Sequence, residues 1–162
     1  MKIRILLSLI LAFALASAAS AQKLSGTLQC NKADPMHSID AGDRDKHSMA
    51  LEKVPCTRAK GMKIGGSQTR EGTSLQFNDT TGMTTSSRGV HWGTVASGDK
   101  YFVRFQGTAT AKEGAPVMIS GTWSFTGGTG KLKGLTGKGA YKGKGNPDGS
   151  ATFEARGDYK LP

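Results

Sequence analysis

The sequence predicts an all-β protein in which an antiparallel meander closes into a barrel of about eight strands. Three observations indicate this fold class. Apolar and polar residues alternate with a period of two, glycines interrupt the alternating runs every few positions, and turn-forming residues separate the runs. A helix loses about 1 kcal/mol at each internal glycine, whereas a strand uses glycine to bend or to admit another backbone. We therefore expect no substantial helix in the folded domain.

The N-terminus has the pattern of a cleaved secretory signal. Lys2 and Arg4 precede an apolar run at residues 5–16, and small residues lead up to the predicted cleavage site. This run is shorter than the ~20 residues that a membrane-spanning helix needs. We predict a signal peptide at residues 1–21 and one soluble β-barrel domain at 22–162, periplasmic or secreted and without a transmembrane segment. An uncleaved membrane anchor is the alternative.

Cys30 and Cys56 are the two cysteines of the chain. In an exported protein two cysteines favour one disulfide, and closing a loop of this length stabilises a fold by about 3–4 kcal/mol. The alternative is a metal site, but two thiolates without a nearby Cys or His at ligand spacing make a poor one. We predict the disulfide and no metal.

Strand patterns in the first half of the domain are the weaker ones. They cover residues 24–31, 48–55, 62–66, 73–77 and 88–96. Residues 40–53 could also form a short helix, but their apolar positions do not recur at helical spacing. A Thr-, Ser- and Gly-rich span lies between the fourth and fifth runs, and we expect it to be mobile.

Alternation is stronger from residue 101 onward. Three runs, at residues 101–110, 117–125 and 151–160, each place apolar residues on one face and polar residues on the other. Residues 112–116 and 146–149 contain glycine and proline where short turns need them. Consecutive antiparallel strands joined in this way form the meander that closes the barrel.

The apolar faces of these last strands carry the candidate ligand-binding residues. They are the aromatic side chains Tyr101, Phe105, Trp123, Phe125, Phe153 and Tyr159. Each such ring buries on the order of 150–250 Å². Since an eight-stranded barrel is either filled by its side chains or wide enough for one small ligand, the rings form either a solid core or the wall of a lumen.

The glycine-rich segment at residues 121–139 resembles a known family. A strand that ends in Gly127-Gly-Thr-Gly130, followed by Lys131 and a short run to another glycine, is similar to the hairpin of allene oxide cyclase and dirigent-type barrels. The mature chain as a whole resembles small exported bacterial proteins of that superfamily. The resemblance implies an eight-stranded antiparallel barrel, often a homo-oligomer, that holds any ligand inside. It carries no catalytic residue across.

The chain is basic, with a formal net charge of +10. Much of this charge belongs to lysines of the glycine-rich block: Lys131, Lys133, Lys138, Lys142 and Lys144. A nucleic-acid surface would add stacking aromatics or a recognisable module, so we predict no nucleic-acid partner. Exposed lysines keep strand edges from pairing with other chains, and attraction to anionic envelope surfaces is the alternative.

Other motifs give no convincing cofactor or metal site. The glycines near Lys131 lack the spacing of a nucleotide-binding loop, and Leu132 stands where Ser or Thr should follow. One cluster combines potential metal ligands: His37, Asp40, Asp43, Asp45 and His47. It is an incomplete calcium loop, and a solvated polar loop is the favoured interpretation. His91 is a weak catalytic candidate, because its ordinary pKa suits acid–base work.

Three functional hypotheses follow. The leading one is a non-enzymatic module that binds a small apolar or amphipathic ligand, or an envelope component, in the mouth of the barrel. The second is an isomerase or cyclase whose lumen templates a reactive intermediate, with His91 as the first candidate residue. The third is a basic envelope-associated stress or interaction protein. No cofactor is predicted for any of them.

Overall fold

The computed structural model describes residues 20–162, apart from the side chains of 58–60. The predicted signal peptide lies almost wholly outside the described residues, so its prediction stands untested. Ten strands form in the described part: β1 (Gln22–Cys30), β2 (Met36–Asp40), β3 (His47–Lys60), β4 (Lys63–Ile64), β5 (Ser67–Thr81), β6 (Thr84–Val95), β7 (Lys100–Lys112), β8 (Ala115–Gly128), β9 (Thr136–Gly145) and β10 (Ala151–Lys160). A short 3-10 helix, Gly130–Leu132, connects β8 to β9.

Eight of these strands form a closed ring. Strands β5 to β10 follow one another as an antiparallel meander, β10 pairs with β1, β1 pairs with β3, and β3 pairs with β5. One closing seam runs from Gln22 opposite Tyr159 to Cys30 opposite Ala151. Because the last strand meets the first, the ring presents few unpaired edges. This confirms the predicted all-β, barrel-like fold class.

The two remaining strands extend the ring at its ends. Strand β2 pairs with residues 48–52 of β3, whereas β1 pairs with residues 56–60 of the same strand. Strand β2 therefore continues the wall beyond β1. At the opposite end, β4 forms a two-residue pairing with the start of β5.

The Thr-, Ser- and Gly-rich span is not the mobile loop that the sequence suggested. Strand β5 continues to Thr81, a turn at Gly82 with a φ of +60° follows, and β6 begins at Thr84. The residues that face inward here are polar, as in Asn78 and Ser87. Because the inward and the outward residues are both polar here, their alternation gives no hydrophobic signal in the sequence.

A hydrophobic core fills one half of the ring, which we call the closed end. Its buried residues are Leu24, Met62, Ile64, Val95, Tyr101, Trp123, Phe125, Leu132, Leu135 and Tyr159. The base of the closed end is formed by Ile64 of β4 and by Leu132 and Leu135 of the β8–β9 connection, and all three are buried. The rings meet edge to face, as Trp123 and Phe125 do at 5.0 Å between centroids.

Glycines on the inner face make room for the large rings. Gly121 and Gly107 lie opposite each other on β8 and β7, and the hydroxyl of Tyr141 occupies the space that a Cβ would take at either position. At Gly121 a Cβ would also overlap with the carbonyl oxygen of Gln106. The glycines thus let the Tyr141 side chain lie close against β8 and β7.

Gly121→Ala should therefore lower the free energy of unfolding by about 1–3 kcal/mol, because the new methyl group collides with rigid backbone. Gly145→Ala on β9 is the matched control, since a Cβ there approaches no atom closer than 3.2 Å, from the Val117 side chain. Urea denaturation of both variants measures the difference. Equal stability of the two variants would contradict this packing.

Cys30 and Cys56 form the predicted disulfide. They are directly paired residues of β1 and β3, at the point where the register of that pairing shifts. Both are buried. The bridge therefore fastens one of the seams that close the ring.

Replacing both cysteines, as Cys30→Ser with Cys56→Ser, should lower the free energy of unfolding by about 3–4 kcal/mol, because the unfolded chain regains the entropy of an open loop. Denaturant titration of the oxidised wild type and the double variant gives the difference. Unchanged stability would show that the bridge does not constrain the fold.

Candidate functional site

The structure places all six predicted aromatic residues on the inner face of the ring. Tyr101, Trp123, Phe125 and Tyr159 are buried in the closed end. Phe105 and Phe153 lie in the other half and are only partly buried. Four of the rings therefore belong to a solid core at one end, and the other two form a partly exposed wall at the other end.

Tyr141 joins Phe105 and Phe153 to form an aromatic wall. Its ring stands edge to face with Phe105 at 6.4 Å and with Phe153 at 5.9 Å between centroids. Burial raises the pKa of Tyr141 to about 12, so its phenol is neutral and can donate a hydrogen bond. Sequence reasoning missed this residue because every other inward position of β9 is glycine, as at Gly139 and Gly143.

A polar wall stands on the inner faces of β3, β5 and β6. Three cross-strand hydrogen bonds tie it together. The amide Nε2 of Gln76 donates to Glu52 at 2.9 Å, the hydroxyl of Ser87 donates to Asn78 at 2.6 Å, and the hydroxyls of Thr80 and Thr85 lie 2.9 Å apart. Glu52 thus directs a carboxylate into the interior at this end.

The aromatic and polar walls face each other across the ring. In the ring of eight strands, β9 stands four places from β5, and β10 stands four places from β6. Diametrically opposed strands carry Tyr141 and Phe153 on one side and Asn78 and Ser87 on the other. We call this amphipathic half of the interior the open end. It combines apolar ring faces with hydrogen-bonding side chains.

His91 lies at the boundary between the closed and open ends. Its Nδ1 is 3.0 Å from the hydroxyl of Ser74, and its Nε2 is 3.4 Å from the hydroxyl of Tyr101. Burial lowers the pKa of His91 to about 4 and raises the pKa of Tyr101 to about 12. Both groups are therefore neutral at physiological pH, and both imidazole nitrogens are engaged by protein hydroxyls.

The candidate metal cluster is divided by the fold. His37 and Asp40 are exposed on β2, and Asp45 is exposed in the following turn. His37 pairs with Leu51, four positions along β3 from His47, so the two histidines do not meet. Within residues 20–162, no group of three or more His, Cys, Asp or Glu residues is arranged to hold a metal ion.

His47 instead fastens the turn before β3 to the end of β5. Its Nδ1 bonds the carboxylate of Asp43, and its Nε2 lies 3.1 Å from Asp79 and 3.2 Å from Arg44. The hydrogen bond with Asp43 raises the pKa of His47, with a second contribution from Asp79. It also lowers the pKa of Asp43. The two carboxylates therefore favour the imidazolium, whereas desolvation and the positive charge of Arg44 oppose it.

The lysines of the glycine-rich block lie on the outside. Lys131, Lys133, Lys138, Lys142 and Lys144 are all exposed. No helix within the described residues has the length and apolar character needed to cross a membrane.

Comparison with known proteins supports the fold. No protein-family model matches the chain, and no curated protein matches it. Among solved structures, the pterocarpan synthase dirigent protein GePTS1 aligns with a TM-score of 0.50 and 13% identity, over 88% of this chain and 86% of its own. A second pterocarpan synthase dirigent protein, PsPTS1, aligns with a TM-score of 0.48 and 13% identity, over 88% and 96%. The likeness to GePTS1 shows that this protein has a dirigent-like β-barrel fold, as the segment at 121–139 predicted.

The buried neutral His91 should make the protein less stable in acid. Its folded pKa of about 4 lies below the ordinary 6.5, so its contribution is complete above pH 6.5 and is lost as the pH falls towards 4. The free energy of unfolding should therefore fall by about 2 kcal/mol between pH 7 and pH 5. His47, whose pKa is raised, acts in the opposite direction. Its contribution to the free energy of unfolding is complete below pH 6.5 and is lost as the pH rises.

Urea denaturation at several pH values measures this effect. His91→Gln keeps a hydrogen-bonding side chain but cannot titrate, so its stability should change much less between pH 7 and pH 5. His37→Gln, at an exposed histidine, is the control and should follow the wild type. An unchanged pH profile in His91→Gln would show that His91 is not buried in its neutral form.

Proposed function

We propose that this protein binds a small amphipathic molecule in the open end of the barrel. The observation that carries the proposal is the pairing of two unlike walls. Tyr141 and Phe153 stand on β9 and β10, the strands opposite β5 and β6, whose inward side chains are hydrogen-bonded polar groups. Phe105, on β7 beside β6, joins these two rings through Tyr141. A purely structural core would not place a carboxylate and an amide, Glu52 and Gln76, inside the ring.

The chemistry of the walls defines the class of ligand. An aromatic or other flat apolar body would lie against Tyr141 and Phe153. The ligand's polar end would reach Glu52, whose carboxylate accepts hydrogen bonds, and Asn78, whose Nδ2 can still donate after Oδ1 has accepted from Ser87. We therefore propose a ring compound that carries a hydroxyl or amine. The solved neighbour GePTS1 is named as a pterocarpan synthase, and this likeness bears on the fold alone.

Export completes the proposal. The disulfide between Cys30 and Cys56 suits an oxidising compartment, and the pattern of residues 1–21 suits a signal peptide. We propose that residues 22–162 act as one domain in the periplasm or outside the cell. There the barrel would bind its ligand without a cofactor.

A catalytic lumen is the second candidate function. The observation that favours it is the chain of hydroxyl, imidazole and phenol formed by Ser74, His91 and Tyr101, which could move a proton between bound groups. Binding is the better supported function, because both nitrogens of His91 already have protein partners and its ring is buried.

Phe153→Ala should weaken the binding of N-phenyl-1-naphthylamine by about tenfold, which is about 1.4 kcal/mol. This neutral fluorescent probe has an aromatic body and one N–H donor, so it matches both walls of the open end. Phe102→Ala is the matched control, because Phe102 is an exposed ring on the outer face of β7. Its affinity should stay within about twofold of the wild type, well below the effect of an anchoring ring.

Fluorescence titration of the two variants and the wild type provides the affinities. Equal weakening by Phe153→Ala and Phe102→Ala, or no weakening by either, would place the probe outside the lumen. Absence of any saturable binding to the wild type would remove the support for a ligand site in the open end.

A further inference from the structure

A separate groove crosses the outer face of the barrel. It has a volume of about 810 Å³ and is lined by residues of β3, β5, β6, β7, β8 and β9, within the range of about 300–1,000 Å³ found for small-molecule sites. Its lining side chains, such as Leu75 and Val90, alternate along their strands with the inward-facing Gln76 and Gly89. These side chains therefore lie on the opposite side of the sheet from the lumen. The inward-facing residues between the two outer rows of side chains also border the groove, namely Gln76, Gly89, Phe105, Trp123 and Gly139.

The strand register orders the groove from an apolar part to a cationic part. In one row, Leu51 pairs with Phe77, which pairs with Arg88. In the adjacent row, Leu75 pairs with Val90 and Val90 pairs with Arg104, and the row continues through Ser124 to Lys138. Within the groove lining, each row thus passes from hydrophobic side chains to positive charge, and Lys53 pairs with Leu75 just outside the lining.

The apolar part is exposed to solvent. Leu51 is 49% exposed, Leu75 is 40% exposed and Val90 is 43% exposed. Leu75 and Val90 are directly paired, and Leu51 lies diagonally from Leu75 on the next strand, so the three form a neighbouring group rather than scattered single residues. Contiguous exposed apolar surface on a folded domain marks a site of interaction.

The cationic part has no acidic partner of its own. The groove lining contains Arg88, Arg104 and Lys138 but no Asp or Glu, and no ion pair joins these three cations to any described residue. The guanidinium of Arg88 lies over the ring of Phe77, 4.9 Å from its centroid.

The nearest acids along the rows already have partners. Asp158 pairs with Lys138 across the strands but forms its ion pair with Lys23 at 2.7 Å. Asp79, two residues beyond Phe77, accepts from His47 at 3.1 Å. Both carboxylates have a cationic partner outside the groove, and the groove lining itself contains three cations and no acid.

We propose that this outer groove binds a single-chain anionic amphiphile, such as a fatty acid taken up as a monomer. The acyl chain lies on Leu51, Leu75 and Val90, and the carboxylate lies between Arg104 and Lys138. Charge complementarity selects this occupant, because the groove supplies positive charge at one end and the chain as a whole carries +10. A groove between two parallel rows of side chains suits one extended molecule better than a flat bilayer.

The test uses oleate below its micelle-forming concentration, with isothermal titration calorimetry at low ionic strength. Arg104→Glu with Lys138→Glu should weaken oleate binding by about tenfold or more, because the carboxylate then meets like charge. The matched control is Lys142→Glu with Lys144→Glu, which changes the net charge equally at exposed positions of β9 outside the groove lining. Its affinity should stay within about threefold of the wild type, since distant surface charges are screened.

Two further measurements decide between this occupant and the others. Monoolein, which has the same chain but no charge, should bind about three- to tenfold more weakly than oleate, because each of the two exposed cations contributes about 0.2–1 kcal/mol. Sedimentation velocity should give the same mass for the wild type and the Arg104→Glu/Lys138→Glu variant, because no second copy of the chain occupies the groove. Phe153→Ala should leave oleate binding unchanged, which separates this site from the lumen.

Several results would overturn the proposal. An equal loss of oleate affinity in the two charge-reversed variants would show general attraction between a basic protein and an anion. Equal affinity for monoolein would show that the cations play no part. Binding to phosphatidylglycerol vesicles without binding to monomeric oleate would identify a membrane surface instead. Self-association that the Arg104→Glu/Lys138→Glu variant abolishes would identify a second copy of the chain as the occupant.

Discussion

Closure of the sheet is the constraint on which the rest of the structure depends. Nine consecutive residue pairs join β1 to β10, and the pairing of β3 with β5 completes the ring. An open sheet of the same strands would leave the rings of Tyr101, Trp123 and Phe125 on a solvent-exposed face. Closure buries them against residues of β1, β4, β6 and β10 and removes long unpaired edges. The disulfide between β1 and β3 reinforces one of the seams.

Glycine and aromatic residues have complementary roles inside this ring. A narrow barrel has little room, and glycines such as Gly107 and Gly121 provide space where the backbone and the ring of Tyr141 approach each other. Large rings then fill the closed end completely. At the open end fewer rings are present and polar side chains replace them on β3, β5 and β6. The resulting amphipathic interior is the structural basis for the proposed ligand site.

The sequence predicts much of the fold because the last strands alternate strongly. Phe105, Trp123 and Phe153 each recur with apolar neighbours at a period of two, and their inward orientation is confirmed by the pairing of β7 to β10. The polar wall could not be predicted in this way. Asn78 and Ser87 face inward among other polar residues, so the hydrophobic pattern does not mark them, and only the register of β5 and β6 brings them together.

The same limit applies to the groups that act over long sequence separations. His47 and Asp43 are neighbours in the chain, but Asp79 joins them only because β3 pairs with β5. The contact of Ser74, His91 and Tyr101 likewise requires three adjacent strands in register. Arg104 and Lys138 are separate surface cations in the sequence, and the sheet places them on one groove.

Cross-strand nuclear Overhauser effects test the closed ring most directly. The structure predicts contacts between Ser25 and Arg156 in one closing seam and between Ala50 and Asn78 in the other. Slow amide exchange throughout β1 and β10 should accompany these contacts. Absence of contacts across either seam, with rapid exchange of the β1 amides, would contradict the closed barrel, and both proposed sites depend on that barrel.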